Sequence, residues 1–151
     1  PAKTAIQIMN TALVIGRDEV RFSTVDVSLF DLYSGVCEFV KAGAAATFVK
    51  RKDRVERIVS TTLPIGVIRE IEIDVERRQL ENGDFVVMVT DGVMDALPAG
   101  EQEELMERFL LEAATNNPKE LAHHLLGRVL ERSGELPTDD MTILAVGIWK
   151  R

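Results

Sequence analysis

Cysteine, histidine and aromatic residues are scarce in this chain. Its 151 residues include one Cys, two His, one Trp and one Tyr, with aromatics at 5%. A single cysteine, Cys37, cannot close an internal disulfide and excludes any centre built on several thiolates. It points to a reducing, cytosolic compartment. No apolar run approaches the roughly 18–20 residues that span a bilayer, and the opening PAKTAIQIMNTALVIG lacks the basic start and long apolar block of a secretory signal. Positive charge is also short: 18 Lys plus Arg stand against 25 Asp plus Glu, a net −7. Nucleic-acid binders draw most of their affinity from Lys and Arg neutralising phosphates, so this balance argues against nucleic acid and against anionic membrane as partners.

What is present is an ordinary globular composition, 46% hydrophobic and 28% charged. No repeat, low-complexity stretch or linker divides it, so one unit with a packed core is expected. Residues 5–15 carry Ile6, Met9 and Leu13 at helical spacing, with a stop near Gly16. Because a helix is already in progress at Pro1, the natural protein is expected to extend upstream. Residues 21–31 (RFSTVDVSLFD) alternate as a strand with one buried face, and Tyr33-Ser34-Gly35 turns the chain. Residues 35–41 and 46–51 are short β-type runs around an Ala-Gly-rich stretch, expected as a hairpin or meander. Residues 55–60, 71–77 (IEIDVER) and 85–90 (FVVMVT) add three strands. The last of these, apolar on both faces, is predicted to be central. After Pro98 the period changes. Leu105, Met106, Phe109, Leu110 and Ala113 mark one amphipathic helix, and Leu121, Ala122, Leu125, Leu126, Val129 and Leu130 mark another opened by Pro118. Residues 141–149 (MTILAVGIW) close the chain as a strand. Strands in a run, with segregated helices, predict an α+β fold.

Glycine-rich phosphate loops, a G-x-S-x-G elbow and Cys/His metal arrays are all missing. The candidate chemistry is acidic. Asp91 directly follows the buried strand, and Asp139 and Asp140 directly precede the last one. If those strands are antiparallel neighbours, the carboxylates converge at one rim of a sheet. Clustered carboxylates repel by roughly 4 kcal/mol per pair at about 4 Å and an effective dielectric near 20, so they call for a cation or a proton. Oxygen-only donors select hard cations such as Mg²⁺ or Mn²⁺. From spacing alone, a turn and a solvated loop remain the competing account of the same residues.

The stretch GDFVVMVTDGVMDA (83–96), followed by DDMTILAVGI (139–148), resembles the last two signature blocks of the bacterial branch of the metal-dependent protein serine/threonine phosphatases, the PPM family. VKAGAAATFVKR (40–51) and LPIGVI (63–68) resemble its upstream elements in the right order. The resemblance implies a β-sandwich flanked by helices with two Mn²⁺ or Mg²⁺ ions between the sheets. It makes Asp91 and Asp139 metal ligands, with no catalytic side chain assigned beyond them. By the same likeness Asp140 orients the loop, Gly92 keeps the backbone close to the site, and Thr90 and Asp95 support the ligands. The implied substrate is a phosphorylated protein, and likeness to the sporulation branch of the family implies an anti-anti-sigma factor, with sigma-factor release as the outcome. Any membrane anchor of the parent protein is expected outside this chain. The family's bridging aspartate, in an upstream Asp-Gly-Met-Gly-like block, has no counterpart before Gly16. Residues 1–151 are therefore expected to be the C-terminal portion of a single phosphatase domain, weak or inactive alone. The alternative is a non-catalytic regulatory module on the same fold.

The remaining chemistry-bearing residues have plainer expectations. His123 and His124 fall on the flank and polar face of their helix and are expected at the surface. Cys37 is expected to be a buried small hydrophobe, the five Met to be core, and the acidic segment 101–107 to be a solvated face suited to a helix start. Arg17, Arg21, Arg51, Arg54, Arg57, Arg69, Arg77 and Arg78 are candidates to hold a phosphoprotein, and sequence does not choose among them.

Overall fold

The computed structural model describes residues 2–15, 21–133 and 139–149. The described residues form two antiparallel sheets and four helices, in the order α1 (Ala2–Val14), β1 (Val25–Phe30), β2 (Val36–Ala42), β3 (Thr47–Lys50), β4 (Val55–Ile58), β5 (Val75–Gln79), β6 (Phe85–Val89), α2 (Asp91–Asp95), α3 (Gln102–Glu112), α4 (Pro118–Ser133) and β7 (Ile143–Gly147). The expected α+β class holds. The chain divides into two compact units, Pro1–Ala44 with Val59–Leu80, and Ala45–Ile58 with Glu81–Arg151.

In the first unit β2 runs between β1 and β5, antiparallel to both. Side chains alternate faces along a strand, so Val40 and Ala42 share one face. There they pack with Ile6 of α1 and with Ile65, Ile71 and Ile73. On the other face Cys37, Phe39 and Lys41 are buried as well. Asn10, buried on α1, clamps the loop after Ile65: its amide donates to the carbonyls of Ile68 (3.0 Å) and Arg69 (3.1 Å), and its Oδ1 accepts from the Gly66 amide (2.8 Å). Gly66, at φ +90°, has the Arg21 carbonyl 2.1 Å from where a Cβ would stand, so no other residue fits.

The second unit is a sheet in the order β4-β3-β6-β7, all antiparallel, with α3 and α4 covering one face. Phe85, Val87 and Val89 of β6, with Phe48 of β3, meet Leu105, Met106, Phe109 and Leu110 of α3 and Leu121, Leu125 and Val129 of α4. Each such fully buried side chain contributes about 1.5–3 kcal/mol. At the other end of the strands Arg51 fastens the β3–β4 turn to the turn before β6. Its Nη1 donates to Asp84 Oδ2 (2.7 Å) and its Nε to Glu56 Oε1 (2.6 Å).

Several expectations are corrected. The 35–41 and 46–51 runs do not form a hairpin: β2 and β3 lie in different sheets. Gly43, at φ +63° and with the Pro64 ring where a Cβ would be, bends the chain between them. Residues 71–74 are not strand. Ile71 and Ile73 are buried while Glu72 and Asp74 are exposed, so the alternation reports burial rather than ladder pairing, and β5 begins only at Val75. β1 is an edge strand with no fully buried residue, and β7 is likewise an edge strand, half-buried. Helix α1 starts earlier than expected, and Gly16 lies outside the described residues. Met9 is exposed because it stands to one side of the inward stripe of Ile6, Asn10 and Leu13; Met88 and Met141 are half-buried.

Cys37 is fully buried, and burial pushes its thiol up to about 12 from a starting value of 9.0, with Glu38 adding to the rise. The thiolate fraction near pH 8 is then roughly a thousandfold below that of an exposed thiol. Alkylation by iodoacetamide at pH 8 is expected to be undetectable in the native chain and rapid after unfolding. Fast labelling of the native chain would show that Cys37 is accessible.

Candidate metal centre at the end of β6

The β6 and β7 strands pair in antiparallel register from Phe85 opposite Gly147 to Val89 opposite Ile143. Asp91 therefore leaves the C-terminal end of β6 beside the segment that leads into β7, which carries Asp139 and Asp140. Thr90 ties the two together past the end of the ladder. Its amide donates to the Thr142 carbonyl (3.1 Å), its Oγ1 accepts from the Thr142 amide (2.9 Å), and that hydroxyl lies 3.3 Å from the Asp140 carbonyl.

Helix α2, a single turn that hydropathy reading missed, begins at Asp91 with Thr90 as its cap residue. Gly92 sits buried on this turn against the opposing backbone: a Cβ there would fall 2.4 Å from the Asp140 carbonyl oxygen and 3.4 Å from the Asp139 carbonyl carbon. Only a residue without a side chain lets the two segments approach this closely. Asp91, Asp139, Asp140 and Asp95 are all exposed. Asp91 Oδ1 accepts from the Gly92 amide (3.2 Å) and Asp139 Oδ1 from the Asp140 amide (2.7 Å), and among the described residues neither carboxylate is in an ion pair. Asp95 stands at the far end of α2.

The donor chemistry fits a hard cation: two carboxylates at one rim, unneutralised by Lys or Arg, beside backbone carbonyls. The set is partial. Among the described residues no group of three or more His, Cys, Asp or Glu is placed to hold a metal ion.

The other candidates fall elsewhere. His123 is exposed and His124 half-buried, the latter with its Nε2 sealed from solvent and unbonded, which a surface position did not predict. Of the arginines, Arg17 lies outside the described residues. Arg51 is buried and committed to Glu56 and Asp84, which removes it as a substrate contact. Arg57 pairs with Glu103 and Glu107, Arg77 with Glu38, Arg78 with Glu76, and Arg54 with Asp53 and Glu56. The same pairs occupy part of the acidic face expected to be solvated at 101–107.

This architecture is that of a PP2C-type phosphatase domain. It superposes with a TM-score of 0.85 on the PP2C phosphatase domain and regulatory-domain fragment of the cell fate determinant SpoIIE from Bacillus subtilis, at 35% identity, covering 96% of this chain and 44% of that one. A manganese-presoaked crystal of the phosphatase domain of the same protein gives a TM-score of 0.78 at 31% identity, covering 100% and 68%. Stage II sporulation protein E of Bacillus subtilis (strain 168) is 36% identical over 148 residues, 97% of this chain but 18% of that protein. The family model for stage II sporulation protein E matches residues 1–149, and the chain belongs to the SpoIIE family.

Gly92→Ala tests the close approach. Replacing a helical glycine by alanine gains up to about 1 kcal/mol in propensity, whereas pushing a methyl group into packed backbone typically costs about 1–3 kcal/mol. The clash should win, lowering the thermal midpoint by several degrees. An unchanged or raised midpoint would mean that the 139–140 segment yields freely.

Proposed function

We propose that the protein containing this chain is a metal-dependent phosphatase that hydrolyses phosphoserine or phosphothreonine esters on a protein substrate. Asp91 and Asp139 hold Mn²⁺ or Mg²⁺, two ions being expected in the complete domain. The observation that carries this reading is the convergence of Asp91 and the Asp139-Asp140 pair at one end of the β6–β7 ladder, in a chain of the SpoIIE family.

Each part has a defined task. Asp91 is fixed at the first residue of α2 and Asp139 just before β7, so the sheet sets their separation. Thr90 and Gly92 hold the two segments in register, and Asp140, through its carbonyl beside Thr90 and its amide on Asp139, fixes the loop that carries the ligand. A bound ion of this type supplies a water of lowered pKa and positive charge facing a phosphoryl group. That charge also admits a phosphoprotein to a chain whose formal net charge is −7.

Residues 1–151 form the C-terminal portion of one PPM-type domain in this reading, and the bridging aspartate is supplied from upstream. The regulated substrate is an anti-anti-sigma factor in sporulation sigma-factor control, supported by kinship with the sporulation phosphatases rather than by any residue here. The domain itself is cytoplasmic. Any anchor of the parent is placed in other regions in this reading; among the described residues no helix is long and apolar enough to cross a membrane.

The test is Mn²⁺-dependent phosphate release from a phosphorylated anti-anti-sigma factor by the protein extended upstream, beside its Asp91→Asn and Asp139→Asn forms. Each substitution should cost more than the roughly 10–100-fold typical of residues that merely support a metal ligand. Unchanged turnover in both would sink the ligand assignment, and no metal-dependent release by the extended protein would favour the non-catalytic module.

A further inference from the structure

At the opposite end of the second sheet from Asp91 there is a cavity of about 620 Å³, between the β3–β4 turn, the turn before β6 and the loop that leaves α3. Lys50, the last residue of β3, lines it. Phe48 and Lys50 share one face of the strand, and Phe48 belongs to the same buried cluster as Phe109 of α3. Lys50 therefore faces the end of that helix, where Leu111 and Ala113 also line the cavity.

Lys50 is only 9% exposed, yet among the described residues no carboxylate, carbonyl or ring pairs with it. A buried ammonium is normally ion-paired or hydrogen-bonded. The bland alternative, a lysine satisfying the last carbonyls of α3, fails because none accepts from it. Its ammonium is not sealed off either, unlike the Nε2 of His124. Burial alone holds this amine below the ordinary lysine range.

The rest of the lining is largely self-neutralised. Arg51 is taken by Asp84 and Glu56, and Arg54 by Asp53 and Glu56. The cations left over are Lys50 and Lys52, the latter exposed and also without a partner among the described residues; with Glu56 counted, four cations of the lining stand against the four carboxylates Asp53, Glu56, Glu81 and Asp84, so the pull on an anion is local to the two lysines. Two unpaired ammonium groups facing a cavity suit a doubly charged oxyanion better than a monocarboxylate. The volume lies within the usual range for small-molecule sites and exceeds what a lone anion fills.

We infer that this cavity is a binding site for phosphate, either free or carried by a small phosphate ester, held by the ammonium groups of Lys50 and Lys52. The site is separate from Asp91 and Asp139 and does not depend on the metal-centre reading.

The experiment titrates the protein extended upstream with inorganic phosphate, glycerol phosphate and acetate at matched ionic strength with EDTA present, following amide NMR shifts of the cavity residues. EDTA removes metal ions that would bring phosphate to the carboxylate rim. Saturable binding of phosphate or its ester, absent with acetate and weakened at least about tenfold by Lys50→Met, is the expected result. The tighter of the two phosphate probes identifies the source. A second readout separates binding from structure: Lys50→Met should match or exceed the native thermal midpoint while losing the phosphate-induced rise. Lys52→Gln, which is exposed and leaves the fold alone, should weaken binding several-fold. No saturation below roughly 10 mM phosphate, equal response to acetate, or undiminished binding by both lysine variants would each overturn the proposal.

Discussion

The pairing of β6 with β7 is the constraint on which the candidate centre rests. Asp91 and Asp139 are far apart in sequence, and closing so long a loop costs entropy that only a continuous ladder and its packed face can offset. The ladder itself runs for five residues. Thr90 then extends the contact beyond it by using both backbone and hydroxyl on the opposite strand, each bond adding a net of about 0.5–1.5 kcal/mol. Gly92 completes it by removing the side chain that would hold the segments apart. An acidic rim would otherwise open under its own repulsion. Here the carboxylates sit on backbone whose position is decided by neutral contacts.

Much of this was legible in the sequence because it is written in hydrophobic period. The uninterrupted FVVMVT run identified a strand buried on both faces, and the structure places it between β3 and β7. The stripe Leu105-Met106-Phe109-Leu110 marked α3 and the side it buries; the broader stripe from Leu121 to Leu130 marked α4, of which Leu121, Leu125 and Val129 are buried while Leu130 is exposed. The Asp-Gly after one strand and the Asp-Asp before another located the rim as soon as those strands were taken as neighbours. What period cannot express is partnership. β2 and β3 each read as strands, but nothing in their side chains says that they belong to different sheets; that is decided by a glycine at positive φ and by Pro64 packed against it. IEIDVER alternates perfectly and is buried in alternation, yet its first half pairs with no strand.

Polar contacts were the least legible. Asn10 is one residue in an amphipathic helix, and nothing local distinguishes a surface amide from one that clamps a loop 58 residues away. Arg51 looked like every other arginine near a strand end, and its value as a candidate vanished once Asp84 and Glu56 were seen to hold it. The single-turn helix α2 escaped because five residues, two of them acidic and one glycine, carry no period at all.

The lysine cavity and the carboxylate rim lie at opposite ends of the second sheet, and their separation matters. Lys50 stands opposite Phe85 at the start of β6, whereas Asp91 follows its end. Four strand steps of about 3.4 Å put some 14 Å between those ends, which exceeds the screening length of about 8–10 Å at physiological salt. A cation gathered at the carboxylate rim would therefore do little to an anion at the lysine cavity through simple Coulomb interaction. Any communication between them would have to pass along the strand and the helices packed on it. The β3–β6 ladder and the buried cluster that holds Phe48 and Phe109 are the physical links available, since they join Lys50 to the same buried layer that supports Val89 and the turn beyond it. Occupation of the cavity could then influence the rim only by changing how tightly that layer is packed. Because packed interiors deform little without cost, two independently filled sites are the expected behaviour of this sheet.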